Sequence, residues 1–142
     1  MNNTQPIRIT VETVVNATLE TAWSSLTLPE HITQWSFASP DWHTPRASND
    51  LRPGGKFTMH MAARDGSVSF DFTGTYSEVN SLSGYNYTIE DGRKVEVTLS
   101  ETDGGVLVKE EFDAETIHPP EMQRAGWQAI LDNFKRYTET LG

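Results

Sequence analysis

None of the 142 residues is cysteine, so the chain can form neither a disulfide framework nor a thiolate metal site. Long apolar runs are also missing: uninterrupted stretches are of the kind Val106-Leu107-Val108, far short of the roughly 20 residues a membrane-spanning helix needs. Positive charge is scarce, with 11 Lys and Arg against 20 Asp and Glu and a net charge of −9. Residues 1–64 hold five acids and five bases, which leaves fifteen acids and six bases for residues 65–142. That field repels a polyanion, and no basic stripe with interleaved aromatics offsets it, so nucleic acid is not an expected partner. The acidic excess reads as a solvated face that maintains solubility, or else as a docking surface for a basic partner.

Chemical signatures are equally thin. The histidines, His31, His43, His60 and His118, have no spacing that brings two nitrogens to one ion, so no metal is expected. There is no Gly-x-Ser-x-Gly elbow, no Walker loop and no Gly-x-Gly-x-x-Gly. Arg52-Pro53-Gly54-Gly55 is not followed by a helix whose amides could cradle phosphate, and reads as a bend into a strand. No cofactor is expected. No positively charged leader with an apolar stretch precedes the first strand-like segment, which points to a cytoplasmic protein. The chain contains no internal repeat and no low-complexity tract.

What is present fits one domain over residues 1–142, with an ordered core of about 7–141. A chain of this size buries about two-thirds of its unfolded surface, enough for a core without staples. Residues 7–15 alternate Ile7, Ile9, Val11 and Val15 with polar residues, the period of a half-buried strand. Thr18 can cap a helix running to about Thr27, and Pro29 suits the first position of a second short helix, with Trp23, Leu26, Ile32 and Trp35 facing inward. From Ser36 to Gly55 no period is sustained, so this segment is expected to be a long ordered loop. Its Phe37 and Trp42 argue against disorder, and suggest either self-association as a homodimer or a lid. Residues 55–112 then contain five strand candidates separated by turns at Arg64-Asp65-Gly66, Asn80-Ser81, Asp91-Gly92 and Asp103-Gly104-Gly105. From Pro120 to about Leu141, apolar residues recur at three and four, the pattern of an amphipathic helix.

The order is therefore strand, two short helices, five strands and one long helix. It carries Ala22-Trp23 with Leu26, Pro29-Glu30 with Trp35, Leu51-Arg52-Pro53-Gly54-Gly55, Phe72-Thr73-Gly74-Thr75-Tyr76, and Gly126-Trp127 through Ile130-Leu131-Asp132-Asn133-Phe134. Together these resemble the START-like, or SRPBCC, superfamily, and within it the bacterial single-domain branch named after the activator of heat shock protein 90 ATPase, homologue 1. The resemblance spans about residues 7–141. It implies an α+β helix-grip fold: a curved six-stranded antiparallel sheet wrapped around the C-terminal helix, with a cavity that takes hydrophobic or amphipathic small molecules in relatives. Relatives include lipid and hormone carriers, polyketide cyclases and chaperone regulators, so function has to be argued from the site. In the chaperone regulator itself this domain follows a separate N-terminal domain that does much of the partner binding, so a chaperone partner is not expected here.

The apolar phase of the strands supplies the candidate ligand contacts: Phe57, Met59, Met61, Phe70, Phe72, Tyr76, Tyr85, Tyr87, Val97 and Leu99. Trp127, Ile130 and Phe134 join them from the last helix, and Trp35 and Trp42 from the segments before the meander. Such bulk on a curved sheet leaves either a packed core or a pocket; tandem methionines and buried tyrosines favour a pocket. Glu110 shares the phase of Val106, Val108 and Phe112, which would raise its pKa and suit it as a general base or ligand anchor, unless a bulge turns it to solvent. Asp71 and His60 read as exposed, and His43 as a possible lining of the mouth. The leading expectation is a protein that binds an apolar or amphipathic small molecule. The alternatives are a cavity enzyme of cyclase, dehydratase or hydrolase type using Glu110 or a tyrosine, and a chaperone-regulating interaction module.

Overall fold

Strands form here where apolar residues two apart meet turns of Asp, Asn and Gly, and helices where the spacing widens to three and four. A computed structural model of the chain describes residues 7–141; the ends of the expected domain, residues 1–6 and 142, lie outside them. In chain order the elements are β1 (Arg8–Val15), α1 (Leu19–Thr27), α2 (Pro29–Trp35), β2 (Trp42–Asn49), β3 (Lys56–Ala63), β4 (Ser69–Asn80), β5 (Gly84–Ile89), β6 (Lys94–Thr102), β7 (Gly105–Asp113) and α3 (Pro120–Thr138). Among the described residues no helix is long and apolar enough to cross a membrane.

The strands make one seven-stranded antiparallel sheet in the order β1-β7-β6-β5-β4-β3-β2. The chain thus meanders from one edge, β2, to β7, and β1 closes the far side against β7. This sheet curls around α3, an α+β helix-grip arrangement, with seven strands rather than the expected six. The additional strand, β2, falls inside the segment read from sequence as a loop. Its pattern is concealed because its register shifts between His43 and Arg46, where Pro45 has no amide to donate, an interruption tolerated on an edge strand that pairs only with β3. The other edge strand, β1, keeps a legible alternation because its register with β7 is unbroken and one face packs on the core. Trp42 and Phe37 are half-buried within the chain, Trp42 edge-on to Phe70 at 5.8 Å. Ile7 is another departure, lying before β1 and exposed.

Local chemistry accounts for the helices. The Thr18 hydroxyl accepts the Thr21 amide and caps α1, while Pro29 and Pro120 open α2 and α3, where an amide would have no partner. Trp23, Leu26, Ile32 and Trp35 are all buried. Trp35 meets Phe134 edge-on at 5.1 Å and donates its indole N–H to the Ser25 carbonyl; the Ser25 and Thr138 hydroxyls meet at 2.7 Å, tying the two short helices to α3. Two glycines serve close packing. A Cβ at Gly74 would fall within 2.5 Å of the Phe57 ring directly across the ladder, and Gly105, at φ +134°, passes so close to Val15 that a Cβ would meet its carbonyl oxygen.

The outer edge of β1 is covered by α3. Arg124 donates to the Thr10 carbonyl at 2.7 Å, Gln128 to Glu12 at 3.2 Å and Lys135 to Val14 at 2.7 Å. These three side chains occupy alternate carbonyls that no neighbouring strand reaches, which removes a free edge and fixes the angle at which α3 crosses the sheet.

Candidate functional site

Where α3 crosses the concave face, the space is not filled. A cavity of about 560 Å³ lies between the sheet and the helix, walled from the sheet by Met59, Met61, Phe70, Phe72, Tyr85, Tyr87 and Glu110, and from α3 by Met122, Gln123, Gly126, Trp127 and Ile130. Trp35 and Trp42 close one end. Phe70, Met122 and His118 line it while remaining exposed, so the cavity opens to solvent on their side.

The row across the strands explains the position of Glu110. Tyr85 of β5 pairs with Val97 of β6, Val97 with Glu110 of β7, and Glu110 with Val11 of β1. Residues opposite one another in an antiparallel ladder share a face, so the carboxylate stands in a row of buried valines, between Val108 and Phe112 along its own strand. β7 runs in regular register with both neighbours, without the bulge that would have turned Glu110 outward. Among the described residues no hydrogen-bond donor or cation pairs with it. Burial alone pushes its pKa up to about 7.

Tyr85 and Tyr87 stand beside it. Burial pushes both hydroxyls well above the usual tyrosine value, Glu110 and the neighbouring tyrosines push further in the same direction, and Arg93 opposes them at Tyr87, so both stay protonated donors on the cavity wall. Tyr76 is held off the wall: its hydroxyl donates to Asn49 at 2.7 Å, and burial raises its pKa as well. Phe57, Val97, Leu99 and Phe134 are likewise buried in the packed core, outside the wall. Trp127 stacks on Phe112 with ring centres 3.9 Å apart and meets Phe72 edge-on at 6.4 Å, so it is half packed and half cavity surface.

Several wall residues escape sequence reasoning. Arg93 enters from the turn between β5 and β6, its guanidinium held by Asp91 at 2.8 Å. Glu115 and His118 form a pair at 2.9 Å in the segment before α3. The buried Gln123 knits that segment, accepting from the Glu115 amide and donating to the Glu115 and His118 carbonyls. No periodicity reports such loop residues; a Gln on the inward face of a helix start was the one available signal. Met122 and Gly126 of α3 were omitted as well; a Cβ at Gly126 would meet nothing within 4 Å. A glycine in mid-helix facing open space is a legible mark of a cavity. His43 does not line the mouth; His118 does. His60 is half-buried rather than exposed, and bonds to the exposed Asp71 at 2.7 Å. Among the described residues no group of three or more potential ligands is arranged around a metal position.

Comparison with known proteins places this architecture. The model of the family described as activator of Hsp90 ATPase homolog 1-like protein matches residues 16–139. The chain belongs to this family. The matched span contains every wall residue named above. Among solved structures, the AHSA1-like protein of Aeromonas hydrophila is 46% identical, with a TM-score of 0.90 over 96% of this chain and 94% of that one. A protein from Cytophaga hutchinsonii is 47% identical, with a TM-score of 0.78 over 96% and 93%. One from Chromobacterium violaceum, at 22% identity and a TM-score of 0.84 over 94% and 99%, shares the fold. No curated protein matches the sequence. START-like folds of this kind commonly bind hydrophobic ligands.

Proposed function

We propose that this member of the activator of Hsp90 ATPase homolog 1-like family binds an apolar or amphipathic small molecule between the sheet and α3. The observation that carries the reading is the cavity itself: about 560 Å³, within the range of small-molecule sites, with an aromatic and methionine wall and a few convergent polar groups. The contacts we assign to the ligand are Trp35, Trp42, Met59, Met61, Phe70, Phe72, Tyr85, Tyr87, Glu110, Trp127 and Ile130. Entry is assigned to the side where Phe70 and Met122 leave apolar surface in water. The proposal keeps the expected cytoplasmic setting; a chaperone partner is suggested by the family's name alone and forms no part of it.

The test is extraction and mass spectrometry of the natively purified protein, repeated with Gly126→Phe, which grows a ring from a position on the cavity wall where a Cβ meets nothing within 4 Å. A small molecule that accompanies the parent protein and is lost from the folded variant supports the reading. No bound molecule, together with no binding of fatty-acid or aromatic panels, overturns it.

One observation favours a second reading, an enzyme. A carboxylate with a pKa of about 7 beside two hydroxyl donors is suited to general acid–base work at neutral pH. A bound molecule that NMR shows being consumed by the parent protein and not by Glu110→Gln would select it.

A further inference from the structure

Three ionisable groups besides Glu110 reach the cavity wall, and each already has a partner: Arg93 pairs with Asp91, and Glu115 and His118 are bonded to each other. Glu110 is the wall charge that no described residue neutralises. Its lateral neighbours, Val97 and Val11, have no side-chain donor, and its neighbours along β7, Val108 and Phe112, are fully buried. Tyr85 and Tyr87 are close enough to feel its charge, and Phe72 and Trp127 line the same cavity, so the wall offers electron-rich rings that attract cations.

Resting on the cavity-binding reading above, we infer that the cavity selects an amphipathic organic cation, an apolar or aromatic body bearing a protonated amine, with its nitrogen held between the Glu110 carboxylate and the surrounding rings. A neutral guest would strip water from the half-buried carboxylate without compensating it, and an anionic guest would add a second negative charge beside it. A cation removes both penalties. The net charge of −9 favours the same sign of ligand during approach.

Coupling to protons follows. The groups that face Glu110 are Tyr85 and Tyr87 from β5, with Tyr76 behind them on β4, and all three stay protonated near neutrality. The remaining ionisable wall residues are Arg93, Glu115 and His118, while β1, β6 and α3 contribute none. Near pH 7 part of the Glu110 population is protonated, and an amine binds only the ionised part, so binding releases a proton. Amine affinity therefore rises from pH 6 to pH 8, and affinity for an acid of equal length falls.

The experiment is calorimetric titration of the full chain with octylamine, octan-1-ol and octanoate at pH 6, 7 and 8, for the parent protein and Glu110→Gln. We expect octylamine to bind at least tenfold more tightly than octan-1-ol at pH 8, the preference to shrink several-fold at pH 6, and Glu110→Gln to bring octylamine down to the alcohol's affinity. The pH series on the parent protein stands on its own should the variant fold poorly. Equal binding of amine and alcohol, stronger binding of octanoate, or an amine preference that survives in Glu110→Gln overturns the inference and leaves cavity binding standing. Failure of all three probes to bind overturns both.

Discussion

Glu110 is held at a cost that pH reveals. Its folded pKa of about 7 exceeds the ordinary glutamate value of 4.5, so the folded state holds a proton that the unfolded state releases between those values. The sign is therefore the reverse of a salt-bridged carboxylate: no penalty exists below about pH 4.5, it grows as pH rises through 7, and it levels off above, at about 3 kcal/mol. Glu110→Gln removes that titration. Urea unfolding should show the variant gaining on the parent protein between pH 5 and pH 8 by an amount approaching this figure; an equal difference at both pH values would contradict the burial of Glu110. Alternation within β7 was enough to place this side chain on the apolar face, because β7 is paired on both sides and its register admits no slip. Alternation could not separate Phe57 or Val97, which are packed, from Phe72 or Tyr85, which face the cavity, since all four share the inward phase. What distinguishes them is where α3 lies above the sheet, which no strand pattern encodes.

At the scale of elements, α3 determines both stability and the size of the cavity. Gly126→Ala adds a methyl into open space and removes a mid-helix glycine, so thermal unfolding should show a gain of about 1 kcal/mol; a loss would mean that the space beside Gly126 is filled. Trp127, half packed and half facing the cavity, should cost less on truncation to alanine than Phe134, which is fully buried. We expect about 2 kcal/mol for Trp127→Ala against about 3–5 kcal/mol for Phe134→Ala, compared by chemical denaturation. Joint replacement of Arg124 and Lys135 by alanine should release the outer carbonyls of β1, costing about 1 kcal/mol and speeding amide hydrogen exchange along β1 more than along β5. The helices were legible from caps, prolines and spacing, and β3 to β7 from alternation and turns. β2 was not, because an edge strand broken by Pro45 leaves no period to read.

For the whole molecule, the curled sheet and its helix act as a frame that stays open. Tight packing at one end, where Trp35, Phe134, Ser25 and Thr138 lock α1 and α2 to α3, and edge hydrogen bonds along β1 hold the helix in place; glycine at position 126 keeps it from filling the space below. The acidic excess of the second half is carried largely on exposed positions, while Glu110 and Glu115 of that half reach the cavity wall. The most direct test of this frame is a heteronuclear NMR titration of the parent protein and of Gly126→Phe with octylamine. The account predicts saturable shifts centred on Gly126, Trp127, Tyr85 and Glu110 in the parent protein, and none in a folded Gly126→Phe. Shifts confined to the outer surface, or undiminished in Gly126→Phe, would contradict it.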